Sequence, residues 1–334
     1  MATRHTATLR TLRRFLSTSQ CIKHENPLGL PRRPPLPQIP RRGPIEKRGI
    51  ANVDKVIAVA SGKGGVGKST IAQNLAFAIA LRNHPQTNIP LRVGILDLDI
   101  FGPSVPTLMG LQNAGEPELT SKGSILPLTN HGLPCMSMGF LIPSTNSASG
   151  DNTDTPIVWR GLMVQKAVQQ LLFDVDWSKD GHGLDALVID MPPGTGDVPL
   201  TLGQLVHVNG AIIVSTPQDV ALSDVRKGIA MLKKVSVPIT GLVLNQAYYL
   251  CPDCNNNTPR YVFGKPDGFR KVAERLEIPI LGELPLVEGV STSADDGYPF
   301  VLKAVSEKED VGGFSWKNTM NQVAERTVAE LWKS

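Results

Sequence analysis

No apolar run in this 334-residue chain approaches the ~18 residues that a membrane-spanning helix needs, so no helical span is expected. The six histidines (His5, His24, His84, His131, His182, His207) fall into no metal-ligand spacing, and no internal repeat is present. Cysteine is scarce: Cys21, Cys135, Cys251 and Cys254 are the four in the chain. Acidic residues are missing altogether from the first 24 positions, which are rich in Arg, Ser and Thr. Residues 1–48 hold eleven Lys and Arg against Glu25 and Glu46, so the formal +4 of the chain conceals a remainder of about −5. A mildly acidic body gives no electrostatic ground for nucleic-acid binding.

What the N-terminus does contain has the composition of a mitochondrial transit peptide. Wound as a helix, Leu9, Leu12 and Leu16 share one face while Arg10, Arg13 and Arg14 lie elsewhere, and Arg14-Phe15-Leu16-Ser17 resembles an arginine-proximal cleavage site of matrix-targeted precursors. Residues 1–26 are assigned to that segment. Residues 27–50 form a basic linker, with seven prolines between Pro27 and Pro44 that suit extended, unpacked chain. Residues 51–334 then make one domain, which a 41% hydrophobic composition can supply with a core.

Within that domain, short β-rich apolar runs alternate with helical patterns, which predicts an α/β fold with a mainly parallel sheet covered on both faces. Strands are expected at 55–60, 92–97, 186–190, 210–216, 239–245 and 278–283, and helices at 68–82, 159–173, 219–234, 266–276 and 316–333. The stretches 143–156 and 178–183 read as polar loops. The last helix, with Trp316, Met320, Val323, Val328 and Leu331, is amphipathic. Its polar face lacks the strongly basic character of a membrane-surface helix, so docking on the domain is expected, with peripheral membrane contact as the alternative.

The strongest motif is Gly62-Lys63-Gly64-Gly65-Val66-Gly67-Lys68-Ser69-Thr70, set between the apolar run Val56–Ala60 and a helical pattern. In that setting the string G-x-x-x-x-G-K-[ST] is a P-loop. Its glycines let backbone N–H groups surround phosphate, Lys68 reaches the outer phosphates, and the Ser69 hydroxyl is placed to ligate Mg²⁺. Two further strands end in acids: 92–97 runs into Asp97-Leu98-Asp99, and Leu187-Val188-Ile189 into Asp190. Acids at the carboxyl ends of parallel strands beside a P-loop lie where such sheets bind ligands. Asp190 reads as the Mg²⁺-holding acid. Met191-Pro192-Pro193-Gly194-Thr195-Gly196-Asp197 follows it as a loop stiff at its prolines and hinged at its glycines. Asn245, closing the apolar strand Gly241–Leu244, has an amide suited to an adenine edge.

Cys251-Pro252-Asp253-Cys254 lies in a loop spanning about residues 248–264. Two thiolates at this spacing can grip a metal, but a closed site wants about four ligands and nothing else in the chain completes it. Cys135, in an apolar stretch, is expected to be a buried thiol. Two copies of the chain meeting at a two-fold axis would supply four thiolates. A redox couple or half of a zinc site are the other readings of a C-x-x-C pair.

Lys63, directly after the first glycine, resembles the signature lysine of the deviant Walker A ATPases, among them MinD, the nitrogenase iron protein and the Mrp-type iron–sulfur carriers. In those families it crosses a dimer interface to the partner's nucleotide, so the resemblance implies a nucleotide-dependent homodimer. Asp97-x-Asp99-x-x-Gly102-Pro103-Ser104 and Asp190-x-Pro192-Pro193-Gly194-Thr195-Gly196-Asp197 resemble switches I and II of the Mrp-type proteins. The resemblance makes Asp99 the residue that positions attacking water, and puts Asp97 near the metal or in support of the switch. Asn245 resembles the adenine-binding residue of the deviant Walker A families. Met136–Leu141, Val158–Val164, Thr216–Leu222 and the Asn245-to-Cys254 string extend the likeness to about residues 50–305, closest to the mitochondrial branch. Departures are confined to Gln246-Ala247 and the two polar inserts. The resemblance implies an ATPase in the mitochondrial matrix whose homodimer bridges a [4Fe–4S] cluster through Cys251 and Cys254 of both copies. It further implies handover from an iron–sulfur donor to recipient apoproteins, respiratory complex I subunits foremost. A MinD-like membrane-cycling ATPase and a zinc-stapled dimer are the competing classes.

Overall fold

The computed structural model describes residues 46–141, 161–179, 181–251, 258–308 and 310–333. The transit-like segment, the proline-rich stretch, the whole of the first polar insert and Cys254 therefore lie outside the described residues.

In chain order the elements are β1 (Val53–Ser61), α1 (Lys68–Ala80), β2 (Val93–Asp97), α2 (Val105–Leu108), β3 (Leu128–Asn130) and β4 (Leu133–Ser137). They continue with α3 (Gly161–Phe173), β5 (Leu184–Asp190), α4 (Asp197–Leu205), β6 (Gly210–Ser215), α5 (Asp219–Lys234) and β7 (Ile239–Leu244). α6 (Asp267–Leu276), β8 (Ile280–Glu283), α7 (Glu288–Asp295) and α8 (Val311–Leu331) complete the fold. The strands form one eight-stranded sheet in the order β3-β4-β2-β5-β1-β6-β7-β8. Every pairing is parallel except the β3–β4 hairpin at one edge. The central strands carry the residues that parallel sheets need: Ile57, Ala58, Val59, Ile95, Leu96, Leu187, Val188, Ile189, Ile212 and Val214 are buried on both faces.

α1 packs with α8 over one face, while α3, α4, α5 and α6 run side by side over the other. α8 is docked as expected, burying Trp316, Met320, Val323 and Val328. Each such side chain contributes about 1.5–3 kcal/mol of transfer free energy. The helix begins at Val311, five residues before the expected start at 316, because Asp310 caps it by accepting from the Gly313 amide at 2.7 Å.

The folded body also begins earlier than the assigned linker boundary at residue 50. Lys47 donates to the Val235 carbonyl at 2.6 Å, the Arg48 guanidinium lies 3.5 Å over the Phe173 ring, and Ile50 is buried in the core. In the second polar insert, Lys179 and His182 pair their backbones in a tight turn. Cys135 is fully buried on β4, and burial pushes its thiol up to about 12, which makes it inert.

Candidate functional site

β1 sits between β5 and β6, at the point where the strand order reverses, and the P-loop leaves its carboxyl end. Asp97 on β2, Asp190 on β5, Ser215 on β6 and Asn245 just past β7 end at the same edge. This crevice is where an open α/β sheet binds ligands.

Local packing shapes the loop. Gly67 has φ 81° and precedes the first turn of α1; a side chain there would also strike the Asn245 amide. A Cβ on Gly62 would lie 2.6 Å from the Asp224 carbonyl oxygen on α5, so only glycine lets the loop approach that helix. The Ser61 hydroxyl donates to the Lys63 carbonyl at 2.9 Å, and the Gly194 amide donates to the Ser61 carbonyl at 2.9 Å. The loop after Asp190 is thereby strapped to the root of the P-loop.

A cavity of about 260 Å³ lies inside this loop, lined by Lys63, Gly64, Gly65, Gly67, Lys68, Ser69, Thr70, Asp99, Ser104 and Pro193. A second, of about 430 Å³, shares Gly67, Thr70 and Ser104 with it and continues past Asn245, Gln246, Pro285, Leu286, Val287 and Trp316. One end is rich in backbone amides, and the other sets the apolar Leu286, Val287 and Trp316 beside the polar Asn245, Gln246, Ser291 and Asp295. The first end suits the phosphates of a nucleotide, and the second its base, which has both apolar faces and polar edges. The structure thus gathers Lys63, Lys68, Ser69, Asp99, Asp190 and Asn245 around one crevice. Pro285–Val287 and Trp316 are additions that the sequence did not reveal, because they come from remote elements.

Electrostatically the floor is dominated by Lys68 and Asp190, both buried, with Nζ 2.5 Å from Oδ1. Lys68 also donates to the Ser69 hydroxyl at 3.2 Å. Burial pushes the Asp190 carboxyl up from its ordinary value, and the Lys68 ammonium pulls against that shift. The other carboxylate oxygen, Oδ2, is buried without a hydrogen-bond partner. An orphaned, buried anionic oxygen beside a serine hydroxyl fits a hard divalent cation, so the donors present suit Mg²⁺. Asp99 is half-buried at the cavity wall; burial raises its carboxyl, with Lys68 acting in the opposite sense. Lys63 is exposed on the outer lip of the loop.

Asp97 is fully buried and faces the backbone of the switch rather than the cavity. Its Oδ1 accepts from the Asp99 amide at 2.9 Å, and its Oδ2 accepts from the Ser104 and Val105 amides at 3.0 and 3.1 Å. Of the two roles the sequence left open for Asp97, this geometry is that of support. Asn245 also has a second duty. Its side-chain amide donates to the Val66 carbonyl at 2.9 Å, and its backbone amide to the Ser215 carbonyl at 2.8 Å.

Beyond Asn245 the chain reaches Cys251 in six residues. Ala247 is pinned to Leu284 and Leu286 to Tyr248 by backbone hydrogen bonds of 2.8 and 2.6 Å. Tyr249 and Arg260 exchange a reciprocal backbone pair of 2.8 and 2.9 Å, which closes the base of the cysteine loop. Cys251 is half-buried just above this pair.

Residues 52–324 match the profile of the ParA family described as NUBPL iron-transfer P-loop NTPases. The chain belongs to this family. It is 46% identical over 272 residues to the iron–sulfur cluster transfer protein NUBPL of Mus musculus, covering 81% of this chain and 78% of that one. The iron–sulfur protein required for NADH dehydrogenase of Arabidopsis thaliana is 44% identical over 255 residues, 76% of this chain and 74% of the relative. Among solved structures, a nucleotide-binding protein from Archaeoglobus fulgidus in complex with ADP superposes with a TM-score of 0.58 at 32% identity, covering 79% and 92% of the two chains. The cell-division ATPase MinD of Pyrococcus furiosus shares the fold, with a TM-score of 0.51 at 19% identity over 82% of this chain and 98% of that one.

Proposed function

We propose that the chain is an ATP-dependent iron–sulfur cluster carrier that holds a [4Fe–4S] cluster between two copies of itself. Cys251 and Cys254 of each copy supply the thiolates, and the cargo passes to mitochondrial apoproteins, respiratory complex I foremost. The observation that carries this reading is the continuity of β7 into the cysteine loop. The segment whose Asn245 holds the P-loop carbonyl reaches Cys251 within six residues, through backbone pinned to the stretch just after β8 and to Arg260. Nucleotide and cargo sites so joined suit a carrier whose grip depends on ATP. The names of the mouse and Arabidopsis relatives support the cargo and the recipient. The transit-like composition of residues 1–26 supports the matrix as the place of action.

In the proposed cycle the P-loop amides take the phosphates, and Lys68 leaves Asp190 to pair with the outer phosphate oxygens. Ser69 and Asp190 would hold Mg²⁺, which neutralises phosphate charge as it develops. Asp99, on the cavity wall, orients the attacking water. Lys63, on the exposed lip, reaches the nucleotide of the second copy. Asn245 keeps its side-chain oxygen as an acceptor for the adenine amino group, its nitrogen being committed to Val66. The buried apolar face of α8 favours this reading over a membrane-cycling ATPase, which would need that face for lipid.

Anaerobic reconstitution tests the proposal. Wild type should hold about four iron and four sulfide per dimer, and Cys251→Ser or Cys254→Ser should lose them. Tightly held zinc, no charge-transfer absorbance and full function without iron would instead establish a structural zinc staple.

A further inference from the structure

Switch I is held by a residue from an outer strand. Asp97 ends β2 between Ser137 of β4 and Asp190 of β5, in register with both. The Ser137 hydroxyl donates to Asp97 Oδ2 at 3.1 Å and accepts from the Gly139 amide at 3.1 Å. Ser137 is fully buried. The same Oδ2 accepts the Ser104 and Val105 amides, while Oδ1 accepts the Asp99 amide. One carboxylate thus ties the two ends of the loop from Asp99 to Ser104, and Ser137 ties that carboxylate to the sheet. A second grip lies alongside: a Cβ on Gly139 would meet the Pro106 ring at 2.8 Å and the Pro103 ring at 3.2 Å, so the turn after Ser137 sits directly against the switch.

We propose that Ser137 is a positioning residue for nucleotide hydrolysis, acting through Asp97 to fix the switch I backbone so that Asp99 faces the P-loop. The proposal rests on the reading that the chain hydrolyses ATP with Asp99 orienting water. Four donors converge on Asp97: three are backbone amides of the switch, and Ser137 contributes the only side-chain donor among the described residues. Removing that hydroxyl leaves the P-loop, Lys68 and Asn245 untouched. Affinity for nucleotide should therefore persist while the step that needs Asp99 slows.

Full-length wild type, Ser137→Ala and Ser137→Thr would be compared in three measurements: steady-state ATP hydrolysis, equilibrium binding of a fluorescent ATP analogue, and amide hydrogen exchange at Asp99, Ser104 and Val105. For Ser137→Ala a fall in kcat of about tenfold is expected, the scale set by loss of one buried side-chain hydrogen bond. KM and analogue affinity should stay within about twofold, since the lost contact does not touch nucleotide. Ser137→Thr, which keeps the hydroxyl, should restore most of the rate. Exchange at the three amides should speed up in Ser137→Ala even without turnover. Unchanged exchange would overturn the inference whatever the ATPase result. Parallel loss of kcat, affinity and thermal stability without rescue by threonine would reduce Ser137 to a packing residue and overturn it too. If wild type itself failed to hydrolyse ATP, the hydrolytic reading would fall and with it the role of Ser137 in turnover, whereas altered exchange alone would still show the hydroxyl holding the switch.

Discussion

Lys68→Ala removes the cation that faces Asp190 at 2.5 Å, and both partners are buried. Breaking a buried pair from one side costs about 3–5 kcal/mol, because the remaining charge stays in a poorly solvated place. For a domain of this size that corresponds to a fall in melting temperature of about 6–10 °C. The cost should depend on pH in a defined direction. Without Lys68, burial, the largest influence on Asp190, is opposed only by the Ser69 hydroxyl and raises the folded carboxyl further above the unfolded value. The folded variant then holds a proton that the unfolded chain releases, so its stability falls as pH rises above about 4. Its deficit against wild type should therefore be smaller at pH 5 than at pH 8. Added Mg²⁺ should narrow the deficit at pH 8, since Asp190 Oδ2 and Ser69 offer it donors. The double variant Lys68→Met/Asp190→Leu, which removes both charges of the pair, should recover most of the lost stability while remaining unable to bind nucleotide. Thermal and urea unfolding across pH would measure the first effects, and titration with a fluorescent ATP analogue the last. A single variant as stable as wild type at pH 8, or a double variant no better than the single, would refute this electrostatic account. Normal ATP binding by Lys68→Ala would refute the P-loop assignment.

Two further outcomes are expected. Lys63→Ala should bind nucleotide normally, since its side chain is exposed on the lip of the loop, yet hydrolyse it poorly in the dimer; unimpaired turnover would remove the cross-dimer role. Burial, together with the facing Asp190 carboxylate, pushes Asp97 up to about 7 from 3.8, so the folded state binds its proton more tightly than the unfolded chain. Stability of wild type relative to Asp97→Asn should accordingly decline as pH climbs from about 4 to about 7 and level off above, which denaturant midpoints measured across that range would check.

Much of the fold was legible because the central parallel strands are buried on both faces and so read as unbroken apolar runs. The hairpin β3–β4 escaped: Leu128-Thr129-Asn130 is too short to show a period, and Pro134 interrupts β4. α4 contains Pro199 and Gly203, which read as breakers, and α7 is short and polar. Gly312-Gly313 likewise hid the true start of α8, which Asp310 caps.

The sequence by itself determined the chemistry on offer: a phosphate loop, two strand-end acids and a pair of thiols, each recognisable because its neighbours in the chain define its geometry. Only the tertiary structure decided which of these groups share a hydrogen bond. That Asp97 serves the switch backbone, that Ser137 holds Asp97, and that Asn245 grips the P-loop all depend on strand order and register. Those arise from the packing of the whole sheet, over separations of up to 179 residues, and no local pattern encodes them.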